Sequence, residues 1–275
     1  MVLDARNHDP AQEIAAEKVL LDRLDTYYSD IISWFFQTIL KDSTPTKILD
    51  VGCGTGHLLE VCDRTLKAIV TPSFYGVDLS QHLITNSSQR FPSYQFEAAD
   101  ATHLPYPDET FDLVYVAAVL AHVPRAAEIL KEMVRVTKIG GTIAVLDQDF
   151  ETAVLYPGDK QLTRSVLNAA ADYWSDGWMG RKLPSMFKHL GLTDITVDAR
   201  VRIDREFDKP FFERIRNWIV EAGFPSDRAE RWFSELCQQA SVDEFLFTRN
   251  WYAVAGIKQF KSLNEQFSYA EILGQ

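Results

Sequence analysis

The segment Ile48-Leu49-Asp50-Val51-Gly52-Cys53-Gly54-Thr55-Gly56 does most to narrow the folds open to this chain. A short apolar run leads straight into three glycines at alternate positions, followed by Leu58, Leu59 and Cys62 at helical spacing. Glycine reaches positive φ without steric cost and lets the backbone approach a ligand. The stretch therefore reads as buried strand, tight turn and helix, with the turn shaped for a small molecule. The spacing is Gly-x-Gly-x-Gly. A dinucleotide fingerprint is Gly-x-Gly-x-x-Gly, and position 57 is His57, which argues against an NAD-dependent oxidoreductase.

The pattern then repeats. Phe74-Tyr75-Gly76-Val77-Asp78 reads as a strand with a helix opened by Ser80, and a third strand covers Tyr94 to Ala98. Phe111 to Val116 forms a fourth, with a helix from Pro124 to Lys138, then Gly140-Gly141 and a strand over Thr142 to Leu146. Strands alternating with helices at this spacing predict right-handed crossovers and a mostly parallel sheet. Beyond Asp147 the alternation is interrupted by a helix over Lys160 to Trp174. A short helix over Leu183 to Leu190 and a strand over Ile195 to Ile203 follow. Helices near Phe211 to Ala222 and Asp227 to Ala240 precede a last strand, Phe245 to Gly256, expected to be antiparallel at the sheet edge. Apolar residues at helical spacing over 11–41 predict a helical lead-in.

The fold expected is α/β: a Rossmann-like, mostly parallel sheet of about seven strands with helices on both faces and a helical cap. Residues 1–275 form a single domain in this reading. Its core takes in 46–147 and 183–204 with 243–257, and its cap 1–45, 150–180 and 205–241. All six tryptophans lie outside 46–147, so the added segments need apolar surface to pack on or to enclose something. A cap over the carboxyl ends of the strands, where ligands bind in open α/β sheets, answers that need.

The formal net charge of -11, with no offsetting block of lysine or arginine, repels nucleic-acid phosphates and favours a small-molecule substrate. Cys53, Cys62 and Cys237 match no zinc or disulfide framework, so reduced thiols and a cytoplasmic setting are expected, with no metal. No apolar run is long enough to span a membrane. Nothing in the sequence sets the oligomeric state.

Asp78 ends the second strand 22 residues after Gly56, where a carboxylate can accept two hydrogen bonds from ribose hydroxyls. Helix capping would be its structural use, but Ser80 is better placed for that. Asp100, after the third strand, can accept from an adenine amino group while the Ala101 amide donates to the ring.

In this order the motifs resemble the class I S-adenosylmethionine-dependent methyltransferases over residues 46–147. Ile48 to Gly56 looks like the family's cofactor loop, Asp78 like its ribose acid and Asp100-Ala101 like its adenine-contacting pair. The run from Leu104 to Val114 resembles the approach to the family's fourth strand. Ala121-His122-Val123 and Arg135-Val136-Thr137-Lys138-Ile139-Gly140-Gly141 are similar to the ubiquinone and menaquinone methyltransferase branch, although Ile139 stands where those relatives usually carry proline. The resemblance implies S-adenosyl-L-methionine as cofactor, bound by Asp50, Gly52, Cys53, Gly54, Gly56, Asp78, Leu79, Asp100, Ala101 and Val116. It also implies transfer of the methyl group to an O, N or C acceptor. His122, at the mouth of the fourth strand, is the candidate base where the acceptor must lose a proton; its structural alternative is an imidazole satisfied by backbone partners.

Candidates for the acceptor site come from the cap: Tyr27, Tyr28, Trp178 and Arg181, the last two in the glycine-punctuated stretch 176–181. Asp147 and Asp149 read as turn residues. The acceptor expected is a small apolar or aromatic metabolite. Base-amino methylation is disfavoured, because Val116-Ala117-Ala118-Val119 lacks the Asn/Asp-Pro-Pro-aromatic motif. Two rivals keep the cofactor: a non-methylating rearrangement or cyclisation, and a catalytically silent cofactor-binding subunit.

Overall fold

The computed structural model describes residues 28–41, 43–66, 71–156, 158–240 and 244–260. Its first half runs α1 (Ser29–Ile39), β1 (Lys47–Val51), α2 (His57–Leu66), β2 (Ser73–Asp78), α3 (Gln81–Arg90), β3 (Gln95–Ala98) and β4 (Phe111–Ala117). A 3-10 turn at Leu120–His122 leads to α4 (Ala126–Val136) and β5 (Thr137–Tyr156). Then come α5 (Lys160–Tyr173), α6 (Met179–His189), β6 (Leu192–Asp204), α7 (Lys209–Glu221), α8 (Ser226–Ala240) and β7 (Leu246–Lys258).

One seven-stranded sheet in the order β3-β2-β1-β4-β5-β7-β6 joins these elements. Strands β1 to β5 pair in parallel, and β7 runs antiparallel as expected but not at the sheet edge: it inserts between β5 and β6 and leaves β6 as the edge strand. The order reverses between β1 and β4, so the carboxyl ends of those strands open a crevice at the glycine turn.

Because side chains alternate across a strand, adjacent residues feed opposite layers. Leu49, Val114, Val116, Ile143 and Val145 pack with α4 and α6, whereas Ile48, Leu113, Tyr115, Ala144 and Leu146 pack with α1 and α2. Helix α1 contributes Phe35 and Phe36, both fully buried, with their rings 6.1 Å and 5.2 Å from that of Tyr115. Each such phenylalanine contributes roughly 1.5–3 kcal/mol relative to exposure. A third cluster, built by α5, α7 and α8 around Phe212, Trp232, Phe245 and Phe247, is the cap.

Two further expectations need correction. Helix α4 stops at Val136, and β5 begins at Thr137, so Gly140-Gly141 lie within the strand and not in a turn before it. Helix and strand meet directly because the amides of Glu109 and Thr110 donate to the last helical carbonyls, Arg135 and Val136, while Thr137 Oγ1 donates to Met133 O. At the other end β5 continues to Tyr156 in an irregular ladder with β7, so 150–156 is sheet where the sequence suggested cap. Residue Tyr27 and most of the predicted lead-in lie outside the described residues; its last part is α1.

Candidate active site

The glycine turn follows β1 with φ of +74° at Gly52, +51° at Gly54 and +74° at Gly56. The amides of Gly52 and Cys53 both donate to Val77 O, at 2.8 and 2.9 Å, which binds the turn to β2. A Cβ on Gly52 would sit 2.7 Å from Val119 Cγ2, so the positive φ and the close approach both demand glycine.

Asp78 reaches back across this turn. Its Oδ2 accepts from the Gly54 amide at 2.9 Å and its Oδ1 from the Ser80 amide at 2.9 Å. Burial raises its pKa above the ordinary carboxylate value. Ser80 caps α3 through the Leu83 amide, as its position suggested. Leu79, next to Asp78, leaves 62% of its surface uncovered, an apolar face beside that carboxylate. Asp100 stands exposed after β3; the Thr102 amide and hydroxyl donate to its Oδ1 and hold its pKa below the ordinary value, and Arg125 lies 3.7 Å from Oδ2. Ala101 follows it, half-buried.

Beneath the turn, Asp50 is 1% exposed, and burial pushes its pKa up to about 8. Its Oδ2 makes no hydrogen bond, and neither does the hydroxyl of Tyr115, its register partner on β4. An orphaned buried acceptor below three positive-φ glycines, with carboxylates at the ends of the next two strands, fits a ligand that brings an ammonium and a ribose. Two residues assigned to the cofactor sit differently. Val116 is fully buried in the sheet core, and the Cys53 side chain packs toward Gly76, its thiol pKa raised by burial.

Alongside the turn a cavity of about 120 Å³ opens at the carboxyl ends of β4 and β5, bordered by Leu58, Ala117, Ala118 and His122. Ala118 takes a φ of +57°, uncommon for a residue with a Cβ. Asp147 anchors this corner, its Oδ2 accepting from the Ala121 amide and its Oδ1 from the Gln148 amide, with burial raising its pKa to about 7. The His122 ring meets Trp174 edge-on at 4.4 Å, and Trp174 stacks on Phe150 at 4.7 Å and meets Trp218 at 4.9 Å. Burial lowers the His122 pKa to about 3, so the imidazole is neutral at pH 7, and its Nδ1 is buried without a hydrogen bond.

Of the acceptor-site candidates, Tyr28 lines the cavity and its hydroxyl accepts from Arg249 Nη2 at 3.2 Å. Trp178 and Arg181 do not line it. Trp178 is 46% exposed with Arg181 stacked 4.8 Å above it, and Arg181 forms a two-pronged ion pair with buried Asp149 and a further contact to Glu151. Stretch 176–181 has a different use. The Asp176 amide donates to Ala121 O, Phe150 N donates to Gly177 O, and a Cβ on Gly177 would meet Ala171 O at 2.5 Å. The glycine thus lets the chain close tightly and seat Trp174 on His122. Sequence reasoning missed Gln148, Phe150, Phe211, Arg214 and Arg249 as wall residues. The available signal was the exclusion of tryptophan from the central region, and Trp174, Trp218 and Trp251 all reach the cavity.

Residues 49–145 match a family model described as a methyltransferase domain. A demethylmenaquinone methyltransferase of Halalkalibacterium halodurans is 30% identical over 172 residues, covering 54% of this chain and 68% of that one. Methyltransferase GfsG of Streptomyces halstedii is 34% identical over 114 residues, and the match spans only 40% of its length and 39% of this chain. The YcgJ protein from Bacillus subtilis shares the fold with a TM-score of 0.57 at 17% identity, covering 82% of this chain and 99% of that one. The chain belongs to the S-adenosylmethionine-dependent methyltransferases. It is an enzyme of that class, with S-adenosylmethionine as its cofactor.

Proposed function

We propose that the enzyme methylates a small apolar or aromatic metabolite held in the cavity between the glycine turn and the cap. The observation that carries this reading is the wall itself, in which Trp174, Trp218, Trp251, Phe150 and Phe211 face the mouth of β4. Flat aromatic walls around a compact space suit a planar or apolar guest. In this reading Asp50, Gly52, Gly54, Gly56, Asp78, Leu79, Asp100 and Ala101 hold the cofactor. Cys53 contributes to the backbone of the turn, and Val116 supports the site from below. When bound, the cofactor supplies an electrophilic methyl group. The chain aligns the acceptor with it and excludes water, which are the main sources of acceleration in such a transfer.

His122 orients the acceptor. A neutral imidazole with a pKa of about 3 is too weak a base to deprotonate an alcohol unaided, but it accepts a hydrogen bond from a hydroxyl and takes the proton as a phenol or enol reacts. No helix among the described residues is long and apolar enough to cross a membrane. The net charge of -11 disfavours a nucleic-acid acceptor, and the free thiols at Cys53, Cys62 and Cys237 go with a cytoplasmic setting.

The test is product analysis. The protein is incubated with S-adenosylmethionine and a panel of hydroxylated aromatics, aliphatic alcohols and an oligonucleotide. Stoichiometric S-adenosylhomocysteine and methylated product with the aromatics alone is the expected result. Turnover of acceptor without S-adenosylhomocysteine would instead indicate a rearrangement, and cofactor binding with no turnover of any acceptor a silent subunit.

A further inference from the structure

The polar atoms of the cavity wall are unevenly matched. Gln148 Oε1 accepts from Arg249 Nε at 2.9 Å, which fixes the side-chain amide and leaves its NH2 as the end offered to the cavity that Gln148 lines. The Tyr28 oxygen accepts from Arg249, so its own hydrogen remains available to donate. Trp251 is 3% exposed, its ring forms part of the wall, and its Nε1, which can only donate, makes no hydrogen bond. Arg249 and Arg214 bring guanidinium groups to the wall, that of Arg249 paired with Asp204. Among the described residues no aspartate or glutamate lines this cavity; Asp204, which pairs with Arg249 at 3.1 Å, lines an adjoining recess with Glu206 and Asp208, and Tyr28, Phe211 and Arg249 stand between the two. Among the described wall residues, His122 offers a ring nitrogen suited to accept from a guest.

We infer that the enzyme recognises its acceptor through an anionic oxygen: an aromatic ring bearing a carboxylate or phenolate group, seated among the N–H donors of Trp251 and Gln148, with a hydroxyl toward His122. This rests on the reading of the cavity as the acceptor site. Among the described residues, a wall rich in N–H donors and without a carboxylate gives an oxygen anion more hydrogen-bond partners than it gives an ammonium, so desolvation disfavours amine acceptors. The N–H of Trp251 gains its only hydrogen-bond partner when such a guest binds.

Calorimetric titration of the full chain, first with S-adenosylhomocysteine and then, in its presence, with three probes tests this. The probes are 3-hydroxybenzoate, 3-hydroxybenzylammonium and 3-methylphenol, which differ chiefly in the charge of one substituent. The benzoate is expected to bind at least about 10-fold more tightly than the ammonium. Trp251→Phe should weaken the benzoate by about 10-fold while leaving 3-methylphenol and S-adenosylhomocysteine unchanged. Gln148→Glu, which exchanges the donor for an acceptor, should shift the preference toward the ammonium and serves if the tryptophan variant does not fold. Equal binding of the two charged probes, or no binding of the benzoate while S-adenosylhomocysteine still binds, overturns the inference and leaves the methyltransferase reading intact. Failure of S-adenosylhomocysteine to bind strikes that underlying reading instead.

Discussion

The two halves of the active site are built by opposite means. On the side proposed for the cofactor, β1, β2 and β3 each end in a carboxylate or a glycine turn, and the contacts that shape the site are hydrogen bonds to backbone over short reaches, such as Gly54 to Asp78 and Thr102 to Asp100. On the acceptor side the wall is assembled from α1, β5, α7, β7 and the loop after α5, and its order comes from aromatic packing around Trp174. Backbone geometry defines the first half and side-chain shape the second. A site made of turns tolerates little change at its glycines and acids. One made of packed rings can alter its guest by exchanging a ring while the sheet stays in place.

If the halves are separable, a change in either should move only its own constant. Asp78→Ala removes the partner of both the Gly54 and Ser80 amides, and cofactor affinity should fall by about 100-fold in calorimetry. An unchanged isotherm would mean that the turn holds its shape and its ligand without that acid. His122→Ala should lower kcat by about 100-fold for acceptors that lose a proton, with cofactor binding intact. A loss of cofactor affinity in this variant would show that the boundary is drawn in the wrong place. Trp174→Ala should raise KM for the acceptor by about 10-fold at similar kcat, because the ring supports His122 and Phe150 without reaching the cofactor turn.

Buried Asp50 gives a pH signature to the cofactor half. Its folded pKa of about 8 lies above its ordinary 3.8, so the native state binds the extra proton between those values and stability from this group falls as pH rises. His122, depressed from 6.5 to about 3, acts in the opposite sense, its contribution being present above pH 6.5 and lost on acidification. Between pH 6.5 and 8 the effect of Asp50 is therefore unopposed by that histidine. The Tm of ligand-free Asp50→Asn should gain on that of the parent across this window; parallel curves would contradict the buried carboxyl. The smallest effect belongs to Trp178→Ala, expected to change stability by no more than about 0.5 kcal/mol and acceptor KM hardly at all, since the ring is exposed outside the cavity.

This contrast also explains how much could be read in advance. The positions of Asp78, Asp100 and the glycines at strand ends were legible because each belongs to a short strand-turn-helix unit whose backbone demands are local. The mostly parallel sheet followed from the alternation of strands and helices, and the antiparallel direction of the last strand was expected, but its place between β5 and β6 was not, because pairing partners far apart in sequence leave no local mark. Arg249 and Gln148 carry no comparable mark: they become neighbours only because β7 folds back along β5, pairing positions about a hundred residues apart. Trp178 and Arg181 drew attention through their glycine-rich surroundings. The glycine there serves a close approach to Ala171, and the ring that matters is Trp174, just upstream.

Strand β5 runs without a break in chain from the end of α4, past Asp147 and Gln148, to Tyr156 in the cap, with β7 laddered beside it for most of that length. The cap is thus joined to the sheet by a two-stranded ribbon whose pairing lapses between Asp149 and Val154 and resumes from Val154 to Tyr156. Swinging it away as a rigid body would shear main-chain hydrogen bonds. In the proposed acceptor site, a guest can then be admitted by rotation of single rings, such as those of Trp174 and Trp218, while the ladder stays paired. Such motions are fast and small, and they leave the methyl donor's seat undisturbed from one turnover to the next.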